Sequence, residues 1–395
     1  MKILILNWDY DRFLRSLYAK NPGLNLVGYA AQMQARNDSL FGVANFYSKN
    51  FIAHGHQAAD IHVNNPWLQW AWAREHGLNT AEPRPWTAPS SLEGLTARVK
   101  RRLRPYKAML TPFARRLNLI QNADRTQREI LLAQIENFNP DVVLNQDLGA
   151  IGASVLKPIR RKGRTVIAQI GVDPPRDLDL SVYDLGISQI PWVVEFFNRN
   201  GLRAERQHLG FEPSILEKLG LPPAKDIAVS FVGSLGSAHG ARIALLEAIA
   251  EKHALALWTP DVAALSPRSI LHAYHCGEVY GREMYNILRR SEISLNNHIG
   301  VARGAATNMR LFEATGVGGF LLTDNLADLP ELFAPGVQVA TYDDVKDCLN
   351  KIETYLREPG PRERIAKAGQ SHTLQHHTYA QRTAQLLAFI ARAMR

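Results

Sequence analysis

The sequence predicts an α/β fold made of two Rossmann-like domains with a cleft between them, and three observations point to it. Short apolar runs alternate with helical patterns through most of the chain, the signature of parallel strands covered by helices. The length, 395 residues, exceeds one ordinary core, since domains usually run to about 150 residues. The alternation also stops at a stretch rich in proline and glycine, residues 207–225, and starts afresh at Asp226. The expected organisation is therefore a first domain over 1–206, a linker over 207–225, a second domain over 226–373 and a closing helix over 374–395.

Taken in order, Lys2–Asn7 reads as the first strand. Residues 8–40 read as a long insert holding Trp8, Tyr10, Tyr18 and Tyr29. Phe46–Ala53 fits a helix ended by Gly55, and Gln57–Val63 a second strand. An irregular region, 80–118, precedes a regular series: helix Arg125–Asn137, strand Asp141–Asn145, helix Ile151–Lys162, strand Thr165–Ile170, strand Leu185–Ser188 and helix Pro191–Asn200. The second series runs strand Ile227–Val232, turn Gly233–Gly236, helix Ala241–His253, strand Leu255–Trp258, helix Arg282–Arg290 and strand Ile293–Asn296. A helix from about Asn308 to Thr315, a strand Gly319–Thr323, helices near 343–357 and 361–369, and a long helix Leu374–Met394 complete it. In open sheets of this kind ligands bind beyond the carboxyl ends of the strands, so the loops there are the expected site.

Composition excludes several classes. Hydrophobic residues make up 46% and charged residues 21%, which excludes a disordered or fibrous chain. Two cysteines, Cys276 and Cys348, exclude a disulfide scaffold or a four-cysteine zinc site. No apolar run approaches the roughly 18 residues of a membrane-spanning helix. The opening Met1–Leu6 is too short for a signal-peptide core and is followed at once by Asp9, Asp11 and Arg12. The expected location is the cytoplasm. Net charge is +9, but residues 98–116 hold eight basic residues and no acid; without them 38 basic residues face 37 acidic ones, a net +1. The basic character is local, so nucleic acid is not expected as a partner. Leu103, Tyr106, Met109, Leu110 and Phe113 interleave with the charges, and Pro105 and Pro112 interrupt them. Such a segment is either a solvated loop or an element drawn to anionic substrates or to lipid headgroups on the inner face of the plasma membrane.

The sharpest local signal is Thr307–Thr323, reading TNMRLFEATGVGGFLLT. Thr307 is suited to cap a helix that Gly316 ends, with a strand after Gly318-Gly319. A helix start aims unpaired N–H groups at whatever lies before it, which suits a diphosphate, and Arg310 adds a full charge. Glu313 follows three residues later, placed to accept two ribose hydroxyls. The alternative is an ordinary surface helix with an Arg–Glu pair.

This segment resembles the donor-site motif of GT-B glycosyltransferases, above all the spore-maturation CgeB-like branch. The resemblance continues through Asp328–Phe333, Pro335-Gly336, Tyr342–Asp344, and His377–Tyr379 with Arg382, and reaches back to Gly55-His56 and Leu209–Phe211. It implies a hexosyltransferase moving a sugar from a nucleotide-diphosphate sugar, without a metal or other cofactor, to a glycan or other acceptor. The implied donor-binding residues are Gly233, Ser234, Gly236, Asn308, Arg310 and Glu313, with Arg282, His298 and Arg303 as weaker candidates. Many retaining members carry two glutamates eight positions apart, and counting back from Glu313 reaches Ala305. The sugar-binding acid is thus absent, so a retaining outcome does not carry over. The acceptor half needs a base if the reaction inverts; Asp9, Asp11 and Asp173 follow predicted strands and are candidates, with Asp147 a further one.

Rival motifs are weaker. Asp9-Tyr10-Asp11 and Asp177-Leu178-Asp179 match the Asp-x-Asp of metal-dependent GT-A enzymes at chance frequency. His272, His275 and Cys276 have ligand chemistry but no further cluster around them, and His372, His376 and His377 read as capping or surface residues. Two alternative functions stand beside transfer. One is a GT-B-fold sugar-nucleotide epimerase; the other is a non-catalytic protein whose basic stretch binds membrane or nucleic acid.

Overall fold

The computed structural model describes residues 1–84, 121–176, 178–236 and 239–394. The basic stretch 98–116 and Asp177 lie outside the described residues. Strand β1 (Lys2–Asn7) is followed by helices α1 (Asp11–Lys20), α2 (Tyr29–Asp38) and α3 (Phe46–Ala53), strand β2 (Gln57–His62), and helices α4 (Pro66–Glu75) and α5 (Gln121–Phe138). The first half continues with β3 (Val142–Asn145), α6 (Ala153–Arg160), β4 (Thr165–Gln169), β5 (Leu185–Ser188), α7 (Pro191–Arg199) and β6 (Ala204–Arg206). A short helix, α8 (Ser214–Leu219), lies inside the stretch expected to be a linker.

The second half holds β7 (Ile227–Val232), α9 (Gly240–Ala250), β8 (Leu255–Trp258), β9 (His275–Gly277), α10 (Arg282–Arg290), β10 (Ser291–Leu295), α11 (Arg310–Gly316), β11 (Leu321–Asp324) and β12 (Ala340–Tyr342). Helices α12 (Val345–Arg357), α13 (Pro359–His376) and α14 (Tyr379–Ala393) end the chain. The strands form two six-stranded sheets, ordered β2-β1-β3-β4-β5-β6 and β12-β11-β10-β7-β8-β9. Every ladder of the second sheet is parallel, as are those from β3 to β6. The expected α/β architecture is present.

By its contacts the chain forms two compact units. One comprises Met1–Ile5, Arg36–Ala59 and Asp141–Arg395. Its cores are apolar strand residues sealed by helices. Val142, Leu144, Ile167, Leu185 and Ile187 join Tyr47 and Phe51 of α3, Leu311 and Phe312 of α11, and Tyr379 and Leu386 of α14. Val229, Leu257, Ile293 and Leu322 pack with Leu246 and Ile249 of α9 and Ile352 of α12. These strands are buried on both faces, which is why they read as continuous apolar runs rather than alternating ones. The other unit comprises Leu6–Ala35 and Asp60–Pro140. There Trp72 and Ala73 of α4 pack on Ile130 of α5, while Asn65 caps α4 by accepting from the Leu68 N–H at 3.2 Å.

Three local expectations change. The insert at 8–40 is largely helical, because Phe13, Leu14 and Leu17 make a buried stripe along α1. The motif helix is shorter than expected, and Thr307 does not cap it; the Asn308 side chain accepts from the Leu311 N–H at 3.4 Å instead. It is no surface helix either, since every residue from Leu311 to Gly316 is buried. Finally, the long helix expected from Leu374 breaks at His377-Thr378. Thr378 and Gln381 form a reciprocal capping box that starts α14, and the backbone there pairs with Phe211, whose N–H donates to the His377 carbonyl at 2.8 Å.

Candidate functional site

In the second sheet the chain order reverses between β7 and β10. From β7 it runs outward to β8 and β9, then returns to the other side of β7 and runs through β10, β11 and β12. Loops leaving adjacent strands at such a reversal diverge and open a crevice beyond the carboxyl ends. Polar side chains gather there. Arg242, near the start of α9, donates Nη1 to the Ser234 carbonyl at 2.9 Å and Nη2 to the Asn297 carbonyl, tying the loop after β7 to the loop after β10. Asn296 and Asn308 exchange side-chain hydrogen bonds, Asn308 donating at 2.8 Å, and Asn296 Nδ2 also donates to Thr323 Oγ1 at 2.9 Å. Tyr342 donates its hydroxyl to the Asn296 carbonyl at 2.9 Å and accepts from Asn297 Nδ2 at 3.1 Å.

Asp324, the last residue of β11, holds His298 by three contacts. The ring Nδ1 lies 2.7 Å from Oδ1, and the His298 backbone N–H sits 3.2 and 3.0 Å from the two carboxylate oxygens. Burial pushes the Asp324 carboxyl up, but the His298 contacts and the Thr323 hydroxyl outweigh it and hold it below the usual carboxylate range. An ionised Asp324 in turn helps burial keep the Tyr342 hydroxyl protonated.

Arg310 opens α11. It donates Nη2 to the Val232 carbonyl at the end of β7 (3.1 Å) and faces Glu313 through Nη1 at 3.0 Å. Burial raises the Glu313 carboxyl above its usual range, and the guanidinium offsets only part of that. The Arg–Glu pair seen in the sequence is therefore real and buried, with side-chain exposures of 14% and 8%.

Of the donor candidates, Ser234, His298, Asn308, Arg310 and Glu313 belong to this strand-end set or bond directly to it. Gly233 donates its N–H to the Trp258 carbonyl at 3.1 Å, and the Gly236 carbonyl accepts from the His239 N–H at 2.9 Å, so both shape the loop after β7. Arg282 and Arg303 are placed differently. Arg282 donates to the Lys218 carbonyl at 2.7 Å. Arg303 adopts φ 49° and stacks its guanidinium 4.0 Å over the Trp192 ring. Arg242, Asn296, Asn297 and Asp324 are not singled out in the sequence, and Tyr342 appears there only as part of the resemblance, with no role at the site. The signals were slight: two asparagines just after an apolar run, and an aspartate just after another.

The acceptor-half candidates differ from one another. Asp9 is buried, its carboxylate 2.9 Å from Nδ1 of the fully buried His62, and its backbone exchanges hydrogen bonds with the Asn64 side chain at 2.8 and 2.6 Å. Asp11 is the exposed first residue of α1, and Asp173 is exposed after β4. Asp147 accepts from the Gly149 and Ala150 N–H groups at 2.9 and 2.8 Å, the pattern of a turn. Asp179 likewise caps a turn, pairing with Ser181 and with Lys157, which holds its carboxyl down at about 2. His272 and His275 bond the Ser266 and Thr259 carbonyls. His377 is not a surface residue: it is buried, and burial lowers it to about 3 while its Nε2 lies 2.9 Å from the Leu332 carbonyl.

Comparison with known proteins fits this geometry. Residues 242–388, from Arg242 through the motif helix to α14, match the family described as glycosyl transferase-like. No curated protein matches the sequence. Among solved structures, a glycosyltransferase from Rickettsia africae superposes with a TM-score of 0.57 at 11% identity, over 100% of this chain and 98% of that one. Sucrose-phosphate synthase from Thermosynechococcus elongatus gives 0.57 at 11%, over 99% and 98%. HepE from Anabaena, in complex with UDP and glucose, gives 0.54 at 13%, over 99% and 100%. The fold is GT-B. The matched segment of this GT-B chain contains every side chain of the strand-end network, and Ala305 within it is buried and carries no carboxylate. Among the described residues no helix is long and apolar enough to cross a membrane.

Proposed function

We propose that the protein is a glycosyltransferase of the CgeB-like kind, moving a hexose from a nucleotide-diphosphate sugar to a glycan or other acceptor. The observation that carries the reading is the set of cations, amides and carboxylates gathered where the strand order of the second sheet reverses, inside the segment that matches a glycosyl transferase-like family. HepE, of the same fold, binds UDP-glucose, which supports a donor of that class.

In this reading residues 226–373 are the donor domain. The loop after β7, with Gly233, Ser234 and Gly236, lets backbone approach the phosphates. Asn308 and Arg310 act on the departing diphosphate, and Glu313 takes the ribose hydroxyls. Helix α11 has only seven residues and brings a small dipole, so the positive charge comes from Arg310 and Arg242 rather than from the helix start. Those arginines do the work a metal does elsewhere, and activity is expected to survive a chelator. Loss with chelator and recovery with manganese would overturn this point. Residues 1–206 bind the acceptor, and Asp9, oriented by His62, is the best-held candidate for its base.

The test is a thermal-shift and calorimetric screen against nucleoside diphosphates and their sugars. A ligand at a hundred times its Kd stabilises by about 2.7 kcal/mol, a readily measured rise in Tm. If none protects the protein, the reading fails. Turnover of a nucleotide sugar into its epimer without acceptor would instead favour the epimerase.

A further inference from the structure

His298 is a residue of the strand-end network whose chemistry is left half used. Its side chain is 4% exposed, and both its ring Nδ1 and its backbone N–H engage the same carboxylate, that of Asp324. The ring is therefore fixed in orientation, and with Nδ1 bonded to a carboxylate oxygen its proton belongs on that nitrogen. The other nitrogen, Nε2, is buried and has no hydrogen-bond partner among the described residues. Buried ring nitrogens are normally paired, so an orphan held this rigidly marks a place where something else binds.

We propose that His298, anchored through Nδ1 by Asp324, presents Nε2 to a hydroxyl of the bound nucleotide sugar. This rests on the nucleotide-sugar reading and names what one residue of that site recognises. A hydroxyl fits better than a phosphate oxygen. Among the described residues Asp324 is the charged group bonded to the ring, while Arg242 and Tyr342 bond the adjacent Asn297 and lie in the Asp324 field. With the ring proton on Nδ1 and donated to Asp324, Nε2 offers a lone pair; an ionised phosphate oxygen has no proton to give it, whereas a hydroxyl can donate to it. Glycine follows closely in the chain at Gly300 and Gly304, the latter at φ 83°, which gives the segment after His298 backbone freedom to adjust as the hydroxyl enters.

Two substitutions separate the ring nitrogens. His298→Asn keeps an amide near the Nδ1 position and removes Nε2, while His298→Gln keeps an amide near Nε2. Calorimetry would compare these with the wild type on uridine, guanosine, adenosine and thymidine diphosphates and on their glucose conjugates. The expected result is about a tenfold loss of affinity in His298→Asn, mostly regained in His298→Gln. A loss confined to the glucose conjugate assigns the hydroxyl to the transferred sugar, and an equal loss on the bare diphosphate assigns it to the ribose. Wild-type affinity of both variants for both ligands overturns the proposal and leaves the donor reading standing. Failure of the wild type to bind any of these probes overturns the donor reading and the proposal with it. A measurement needing no variant is the imidazole nitrogen resonance of His298: saturation with the tightest-binding conjugate must shift Nε2, and an unmoved resonance also overturns the proposal.

Discussion

Arg310 and Glu313 sit three residues apart on α11 with almost no access to water, so each is the other's main source of charge compensation. Burial already raises the Glu313 carboxyl, and Arg310 is what pulls it back. Arg310→Ala leaves a buried carboxylate unpaired, a change that costs on the order of 3–5 kcal/mol. The sign of its pH dependence follows from the direction of the shift. A carboxyl whose folded pKa lies above its unfolded one keeps its proton longer in the folded state, so its stability contribution is present at low pH and is lost as pH rises through the raised pKa. Urea unfolding of Arg310→Ala should therefore show a deficit that is small in the ordinary glutamate range and grows toward neutrality. Adding Glu313→Gln should flatten that dependence. A deficit independent of pH would mean that Glu313 is solvated and free to serve a ligand without Arg310.

Helix α11 is held by close backbone approach as well as by charge. At Gly316 an added Cβ would lie 2.3 Å from the Phe211 ring, and at Gly369 of α13 it would lie 2.3 Å from the Gln338 carbonyl. Thr315 and Thr373 share a buried hydroxyl contact at 2.7 Å across the same helix pair, and Gln370 Nε2 donates to the Gly316 carbonyl at 3.1 Å. The glycine that the sequence offers as a helix stop thus has a second reason to be glycine: it lets Phe211 seat against the end of the motif helix. Gly316→Ala is expected to destabilise by about 1–3 kcal/mol through overpacking. In a Phe211→Ala background the same change should cost far less, because the ring it strikes is gone. Additive losses across the four proteins, read from urea midpoints, would place the strain elsewhere. The capping box at Thr378 and Gln381 shows the reverse lesson, since two helices were read as one long element after Leu374. The Thr-x-x-Gln spacing was visible, but the backbone pairing with Phe211 that fixes the break joins residues far apart in the chain.

Across the whole chain, the parts legible in the sequence are those set by local periodicity. Both strand–helix series appear because doubly covered strands are continuous apolar runs. Strands β6, β9 and β12 are three residues each, too short to show any period, and α1 was hidden in an aromatic-rich insert. The Arg310–Glu313 pair was legible because three residues is one helical turn. The bonds from Arg242 to Asn297 and from His298 to Asp324 were not, since they exist only once strands β7, β10 and β11 lie side by side. Charge distribution is a property of the entire sequence and needs no coordinates. Eight basic residues with five apolar ones interleaved over 98–116 account for nearly all of the net +9. Near an anionic surface each Lys or Arg contributes up to about 1 kcal/mol, so half of them engaged would hold the protein reversibly on a bilayer. That attraction must fall with salt, because the Debye length is only about 8 Å at physiological ionic strength. Liposome co-sedimentation with and without anionic lipid, at low and high salt, should show binding only to anionic vesicles at low salt, and deletion of 98–116 should abolish it. If the protein stays in the supernatant under all four conditions, the segment serves a soluble acceptor or solvent, and a lipid-linked glycan loses its main support as the acceptor.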